Sequence, residues 1–149
     1  MSDMENKIGD GDQHKTVTDW WHGEQGSPLN HLLDSRLVSL GDGTAVFEAI
    51  PSRKFYNPQG RCHGGFASAL LDSAMGCAIL SRVGRDANFG TIELKVNFVR
   101  AILEETGVLT CRASIIHPGR RVQTAEARLT DASGKLYAHG SGTFMLYAE

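Results

Sequence analysis

An aspartate stands in the middle of a segment that is otherwise built from apolar and small residues. Asp72 lies within His63–Arg82, where apolar residues recur at the three- and four-residue steps of one helical face. Aspartate is a poor helix former away from the first turn, which argues for a role there. A carboxylate that a ligand or another chain approaches closely is one such role, and an ordinary solvent-facing aspartate is the alternative. Its neighbours on a helical wheel are all small: Ser68, Ala69, Ser73 and Gly76.

Two glycines follow a histidine where this helix is expected to begin. The first N–H groups of a helix are unpaired and carry partial positive charge, and glycine lets a ligand approach the backbone closely. Gly64 and Gly65 can therefore bind an anion or a carbonyl oxygen that gains negative charge. His63 is a candidate general base, although a histidine at a helix start more often has a structural hydrogen-bonding role. A flexible glycine loop is the alternative for the tripeptide.

An asparagine precedes a proline in the loop before this helix. Asn57 in Asn-Pro is typical of a turn, and its amide is also able to hold a water or a substrate carbonyl. Other catalytic patterns are absent from the sequence: there is no G-x-S-x-G elbow, no phosphate-binding loop and no zinc pattern. We therefore expect neither a metal nor a cofactor.

The elements that position these residues begin with a hairpin. Two strands are predicted, Arg36–Leu40 and Thr44–Ile50. The Gly-Asp-Gly sequence at 41–43 supplies the turn residues between them. Residues that interrupt helices and strands are frequent in 51–62, which predicts a loop. The helix follows this loop and is expected to end at Gly84.

The rest of the chain has the pattern of strands. Thr91–Phe98 alternates apolar and polar residues, the signature of a half-buried strand. Spacing near ten residues predicts an antiparallel meander, with turns at 103–106, 117–119 and 131–134. The three later strands are expected at Gly107–Ile116, Arg121–Thr130 and Lys135–Leu146. A single helix leaves much of such a sheet uncovered, so we expect a dimer.

The secondary-structure pattern of the residues before the hairpin is weaker. Residues 1–14 are polar and predict a flexible tail, with one domain over 15–149. A short helix is expected at Thr16–Gly23, where Trp20 and Trp21 supply its apolar content, and a helical turn at Pro28–Leu33 with Ser27 as its cap.

The composition excludes several classes of protein. With 15 basic and 17 acidic residues mixed along the chain, a basic stripe for nucleic acid is not evident. Asp72 and many small residues interrupt the most apolar run, so we expect no membrane span. Cys62, Cys77 and Cys111 are an odd number without metal-type spacing, which favours a reducing cytoplasm. The start of the chain lacks the apolar stretch of a secretory signal.

Taken together, the spaced residues resemble a known family. Asn57, Gly60, His63-Gly64-Gly65, Leu70 and Asp72 look like the signature of hotdog-fold thioesterases of the phenylacetate-pathway and 4-hydroxybenzoyl-CoA types. The segments TIELKVNFVRAI and HPGRR extend the resemblance over roughly residues 30–146. It implies an α+β hotdog fold, in which an antiparallel sheet of about six strands wraps around one long helix.

The resemblance also implies roles for individual residues. Asp72 would be the nucleophile or general base, the Gly64 N–H would polarise the thioester carbonyl, and Asn57 would orient the substrate or water. These groups would come from two subunits of a homodimer, and similar proteins form dimers of dimers. Thr91 matches a hydroxyl found in some relatives if the preceding loop holds one extra residue. The implied substrate is a small or medium acyl-CoA or an aryl-CoA.

Coenzyme A brings phosphates, for which guanidinium groups are geometrically suited. Arg100, Arg120 and Arg121 lie at predicted strand ends and are candidates, with ordinary solvent exposure as the alternative. The aromatic residues expected to shape the acyl pocket are Trp20, Trp21, Phe66 and Phe89. A binding module that senses acyl-CoA without hydrolysing it is the second hypothesis. A dehydratase on the same fold needs a His–acid pair at other spacings, which the sequence lacks.

Overall fold

A six-stranded antiparallel sheet is the scaffold of the part of the chain that the computed structural model describes, residues 17–23 and 27–148. One long helix lies across this sheet, as expected for the hotdog fold and the α+β class. The strands in chain order are β1 (Ser35–Gly41), β2 (Thr44–Ala49), β3 (Phe89–Phe98), β4 (Leu109–Pro118), β5 (Val122–Asp131) and β6 (Leu136–Leu146).

The order of the strands in the sheet is β1-β2-β4-β5-β6-β3. The hairpin of β1 and β2 is confirmed, with a tight turn at Asp42 and Gly43. A meander is also present, but it is limited to β4, β5 and β6. The expectation that β3 belongs to it is wrong, because β3 pairs with β6 at the far edge. The long helix carries the chain across the sheet, so β3 begins on the side opposite β1 and β2.

The long helix, α3 (Gly64–Val83), packs against the middle of the sheet. It ends as predicted at Gly84, which has a φ of 89°. The inward positions of the central strands are rich in alanine, which lets the helix approach the sheet closely: Ala45, Ala49, Ala113, Ala125 and Ala127 are all buried. By length and composition α3 could cross a membrane, but just over half of it is buried inside the domain, as expected of a core helix.

Two short helices cover one end of this layer. They are α1 (Val17–His22) and α2 (Pro28–Leu32), close to the predicted positions. Ser27 occupies the N-cap position of α2, but its hydroxyl accepts a bond from Asn30 Nδ2 (2.7 Å) rather than from the backbone, so the predicted capping bond is absent. The predicted tail, residues 1–14, lies outside the described residues, as do Thr16 and the side chain of Trp20.

Strand β3 is less buried in the single chain than its alternating pattern predicts. Ile92, Leu94 and Phe98 are 52%, 37% and 58% exposed. The reason is that β3 forms the edge of the sheet beyond β6, where α3 covers it only slightly. An apolar edge strand of this kind offers unpaired backbone groups to a second chain.

Candidate active site

Asp72 lies near the middle of α3 and is held by a strand residue. Thr91 Oγ1 donates a hydrogen bond of 2.8 Å to Asp72 Oδ1. The β3–β6 register shifts between Thr91 and Glu93, which is the mark of a β-bulge. A bulge re-aims the side chains beside it. The structure therefore brings together the predicted carboxylate and the predicted hydroxyl.

A cavity of about 360 Å³ opens beside Asp72. Much of its wall is apolar, and its polar side chains include Asp72 and Thr91. Trp21 and Phe89 line it, as predicted, whereas Phe66 is buried in the core and stacks on Phe55 at a centroid distance of 4.6 Å. The other lining residues are Ser73, Gly76, Leu80, Arg85, Ala87, Gly90, Thr91 and Phe144.

The start of α3 presents one unpaired backbone donor. His63 is the N-cap, and its Nδ1 accepts a hydrogen bond of 2.8 Å from the Gly65 N–H. The Phe66 N–H bonds to the His63 carbonyl. The Gly64 N–H has no acceptor among the described residues, so this amide is available to a ligand. Because Nδ1 is an acceptor, a neutral His63 carries its proton on Nε2.

Asn57 forms the predicted turn and still offers a donor. Its Oδ1 accepts a bond of 3.0 Å from the Gln59 N–H, and its backbone carbonyl accepts one from Gly60. This turn fixes the orientation of the amide, because Oδ1 is the acceptor and Nδ2 remains as the donor. Asn57 lines a second cavity of about 380 Å³ together with His63 and Gly64. The turn and the substrate-orienting role are therefore compatible.

The two groups of candidate residues are separated within one chain. Asp72 and Thr91 line the first cavity, and Asn57, His63 and Gly64 line the second. Asp72 comes eight positions after Gly64, which is about 12 Å along the helix axis. A single thioester group is too small to contact both ends of this span, so one chain by itself does not assemble the predicted site.

The candidate arginines are also divided. Arg100 lines the second cavity and donates a bond of 2.7 Å to the Leu136 carbonyl. Arg120 and Arg121 lie in the turn between β4 and β5, are exposed, and line neither cavity. Arg121 belongs to the other end of the sheet, since its carbonyl accepts from the Leu146 N–H and Leu146 pairs with Phe89.

Several residues near the two cavities were not predicted as site residues. Arg61 and Tyr137 line the second cavity, and Arg85 lines the first. Arg61 lies within the loop that carries Asn57, so its position near Asn57 could be predicted from the sequence. Tyr137 was not, because it comes from β6 and reaches the cavity through strand pairing alone.

The three cysteines are free thiols and all are buried. Burial raises the pKa of Cys111 to about 12 and also raises that of Cys77, so neither is a ready thiolate. Cys77 is 1% exposed and packs as a small hydrophobic residue of the core. Cys62 lines the second cavity, and its pKa is also raised by burial. These thiols are therefore poor candidates for a nucleophile.

Comparison with known proteins places this geometry in a family. The model of the thioesterase superfamily matches residues 59–138, more than half of the chain. A conserved protein of Pseudomonas aeruginosa is 36% identical with a TM-score of 0.76, over 81% of this chain and 94% of that one. A variant of the phenylacetic acid degradation protein PaaI of Thermus thermophilus is 26% identical with a TM-score of 0.72. This match covers 80% of this chain and 98% of that one.

An enzyme with a stated substrate is also similar. The 1,4-dihydroxy-2-naphthoyl-CoA hydrolase of Listeria monocytogenes is 27% identical over 108 residues, which covers 72% of this chain and 86% of the relative. The family match begins at residue 59, two residues after Asn57, and includes all of α3 and Thr91. The chain therefore belongs to the thioesterase superfamily and is a thioesterase of the hotdog fold.

Proposed function

We propose that the protein hydrolyses small or medium acyl-CoA or aryl-CoA thioesters to the free acid and CoA, at sites shared by two subunits. The separation of Asp72 from Gly64 carries the proposal. Each half offers a different chemical group, a carboxylate in one cavity and a free backbone N–H in the other. A second copy that brings its Asp72 to the Gly64 of the first would complete both sites at once.

The chemistry follows from the groups in each half. The Gly64 N–H stabilises the oxygen of the thioester carbonyl as that oxygen gains negative charge, and Asn57 Nδ2 orients the carbonyl or the attacking water. Asp72 either removes a proton from that water or attacks the carbonyl carbon itself. The C–S bond breaks when the tetrahedral intermediate collapses, and the thiolate of CoA leaves and takes up a proton. In the nucleophilic route, water then hydrolyses the Asp72 anhydride.

The edge strand supports association with a second copy. No strand of the described part of the chain pairs with the outer edge of β3, which exposes Ile92, Leu94 and Phe98. Antiparallel pairing of two β3 edges would bury these side chains and satisfy their backbone groups. Phe98 also packs on Gly64, since a Cβ at that glycine would lie 3.0 Å from Phe98 Cζ. This strand therefore links the proposed interface to the site. We extend the proposal to a dimer of dimers, as in similar proteins.

The phosphates of CoA require cationic partners. Arg61 and Arg100 lie at the cavity of Asn57 and Gly64, and we propose them as the first ligands for these phosphates. Arg120 and Arg121 lie near the other end of β3 and are candidates from the partner subunit.

The free thiols of the described residues support the cytoplasm as the compartment. Two relatives, one named as a naphthoyl-CoA hydrolase and one for phenylacetic acid degradation, support aryl-CoAs in the substrate panel.

The test is release of free thiol from a panel of acyl- and aryl-CoAs. We expect hydrolysis by the parent protein and a loss of about 10²–10⁴-fold in kcat for Asp72→Asn. Asp42→Asn removes the same charge from the exposed β1–β2 turn and is the matched control. If no thioester is cleaved, or if Asp72→Asn is as active as the parent, the proposal is wrong.

The alternative is a module that binds acyl-CoA without turnover. It predicts tight binding of intact acyl-CoA by calorimetry and no thiol release from any member of the panel. The free Gly64 N–H and the bonded pair of Asp72 and Thr91 favour hydrolysis, because binding by itself has no need of a carboxylate beside the thioester.

A further inference from the structure

Gly76 is a glycine in an unfavourable place. It lies inside the 20-residue helix α3, four residues after Asp72 and therefore on the same face. Glycine is among the least favourable residues in a helix interior, and one found there usually has a packing or functional reason.

The packing of the chain does not supply that reason. A Cβ at Gly76 would meet Phe144 Cε1 at 3.9 Å, an ordinary van der Waals contact. Gly142 differs, because its Cβ would lie 3.0 Å from Phe144 and 3.2 Å from Met75 Cε. Gly140 differs even more, because its Cβ would overlap the Lys95 carbonyl oxygen. Both strand glycines are required by their neighbours, whereas Gly76 has room for a methyl group.

The space at Gly76 is part of the cavity beside Asp72. Aromatic side chains form much of its wall, and Trp21 is held in place by an edge contact with Phe47 at a centroid distance of 5.7 Å. The carboxylate and Thr91 line the same cavity. An acyl group attached to a carbonyl at Asp72 would thus occupy this cavity beside Gly76 and contact Trp21, Phe89 or Phe144.

We infer that Gly76 is the residue that determines the size of the acyl group accepted, because its missing side chain leaves the width that this group occupies. The inference rests on the proposed hydrolysis at Asp72. It makes Gly76 a specificity residue that is retained at a cost in helix stability. A residue kept for stability would instead be alanine at this position.

The experiment compares Gly76→Ala and Gly76→Val with the parent protein on acetyl-, hexanoyl- and benzoyl-CoA. We expect the ratio of kcat/KM for hexanoyl- and benzoyl-CoA to that for acetyl-CoA to fall about tenfold or more, with the larger loss in the valine variant. We also expect Gly76→Ala to raise the thermal midpoint by about 2–4 °C, since alanine is the better helix former. A uniform change in kcat/KM across the panel, or none, would overturn the inference.

Two further variants make the result specific. Ser68→Ala lies on the same helix one turn before Asp72 and lines neither cavity, so its substrate ratio is expected to match the parent's. Trp21→Leu removes part of the aromatic wall of the cavity, so it should shift the ratio towards hexanoyl-CoA. If Gly76→Ala instead lowers the thermal midpoint and yields monomers by light scattering, Gly76 serves packing between subunits and the inference is wrong.

Binding separates this inference from the proposed function. Non-hydrolysable thioether analogues of the same acyl-CoAs are titrated into Asp72→Asn protein with and without Gly76→Ala. A loss of affinity that grows with acyl size supports the role of Gly76 even if the parent hydrolyses nothing. An equal effect on all analogues contradicts that role even if Asp72 proves to be catalytic.

Discussion

Thr91 on β3 donates a hydrogen bond of 2.8 Å to Oδ1 of Asp72 on α3. The second carboxylate oxygen, Oδ2, has no hydrogen-bond partner within the described ranges 17–23 and 27–148. One oxygen of the carboxylate is thus anchored to the sheet, and Oδ2 is left without a partner on a residue that lines the cavity. The bond holds the carboxylate in place and leaves Oδ2 available to a ligand.

We expect Thr91→Val to lower kcat about tenfold, because a hydrogen bond to a charged group contributes about 1.5–3 kcal/mol when buried and less at an exposed site. Thr91→Ser keeps the hydroxyl and should retain most of the activity. The measurement is kcat from thiol release on the best substrate of the panel. Equal values of kcat for the valine and serine variants would show that the bond does not serve the reaction.

A shared site makes a specific prediction for mixed subunits. Asp72→Asn and Asn57→Ala proteins should each be nearly inactive, but a hybrid dimer has one site with both changes and one site with neither. After unfolding and refolding of a 1:1 mixture, about half of the dimers are hybrids, so about a quarter of the parent activity should return. Each variant refolded alone is the control. A mixture as inactive as its components would place both residues in one subunit's site.

His63 is expected to act as a helix cap rather than as a base. Since its Nδ1 accepts from the Gly65 N–H, His63→Ala should lower the free energy of unfolding by about 0.5–2 kcal/mol. Asparagine is a good N-cap residue, so His63→Asn should restore both stability and kcat. Urea unfolding and thiol release measure the two effects. A stable His63→Asn protein with a large loss in kcat would instead identify His63 as a catalytic base.

The β5–β6 turn should give the protein an acid-sensitive contribution to stability. Hydrogen bonds to the Asp131 carboxylate lower its pKa to about 2. The largest effect comes from the Ser133 hydroxyl, and smaller ones come from the Lys135 N–H, the Tyr137 hydroxyl and the Ser133 N–H. Because an unfolded aspartate has a pKa of about 3.9, the ionised turn stabilises the fold above that pH and ceases to do so as the pH falls through about 2.

Asp131→Asn should therefore have a lower thermal midpoint than the parent at pH 6. We expect the difference to shrink between about pH 4 and pH 2, where the parent loses its ionised carboxylate. Asp42→Asn, in the β1–β2 turn, is the control for a change in surface charge. A difference that is the same at every pH would rule out the Asp131 carboxylate as its source.

Much of the fold was predictable because its signals are local. The period of the apolar residues over His63–Arg82 and the glycine at 84 define α3 to within a residue at either end. The turn residues 41–43 predict the hairpin, and Asp131 and Gly134 form the last turn in the predicted place. In each case the residues that determine the structure are neighbours in the sequence, so the pattern contains the information.

The positions of the candidate residues on the helix were predictable, and their hydrogen bonds were not. The types and spacing of Asn57, Gly64 and Asp72 follow from the sequence, since the helix start and the middle of the helix are defined by local pattern. Which Asn57 atom remains a donor required the Gln59 contact, and which helix N–H remains free required the His63 cap. Both depend on side-chain geometry that spacing does not contain.

By itself the sequence determined one helix with a carboxylate at its centre, a glycine pair at its start and strands before and after it. Only the tertiary structure decided that β3 pairs with β6, that Thr91 therefore meets Asp72, and that Trp21 and Gly76 enclose a cavity beside it. These relationships join residues far apart in the chain. The partner and register of a strand are chosen by the packing of the whole sheet on α3, and no local stretch of sequence carries that choice.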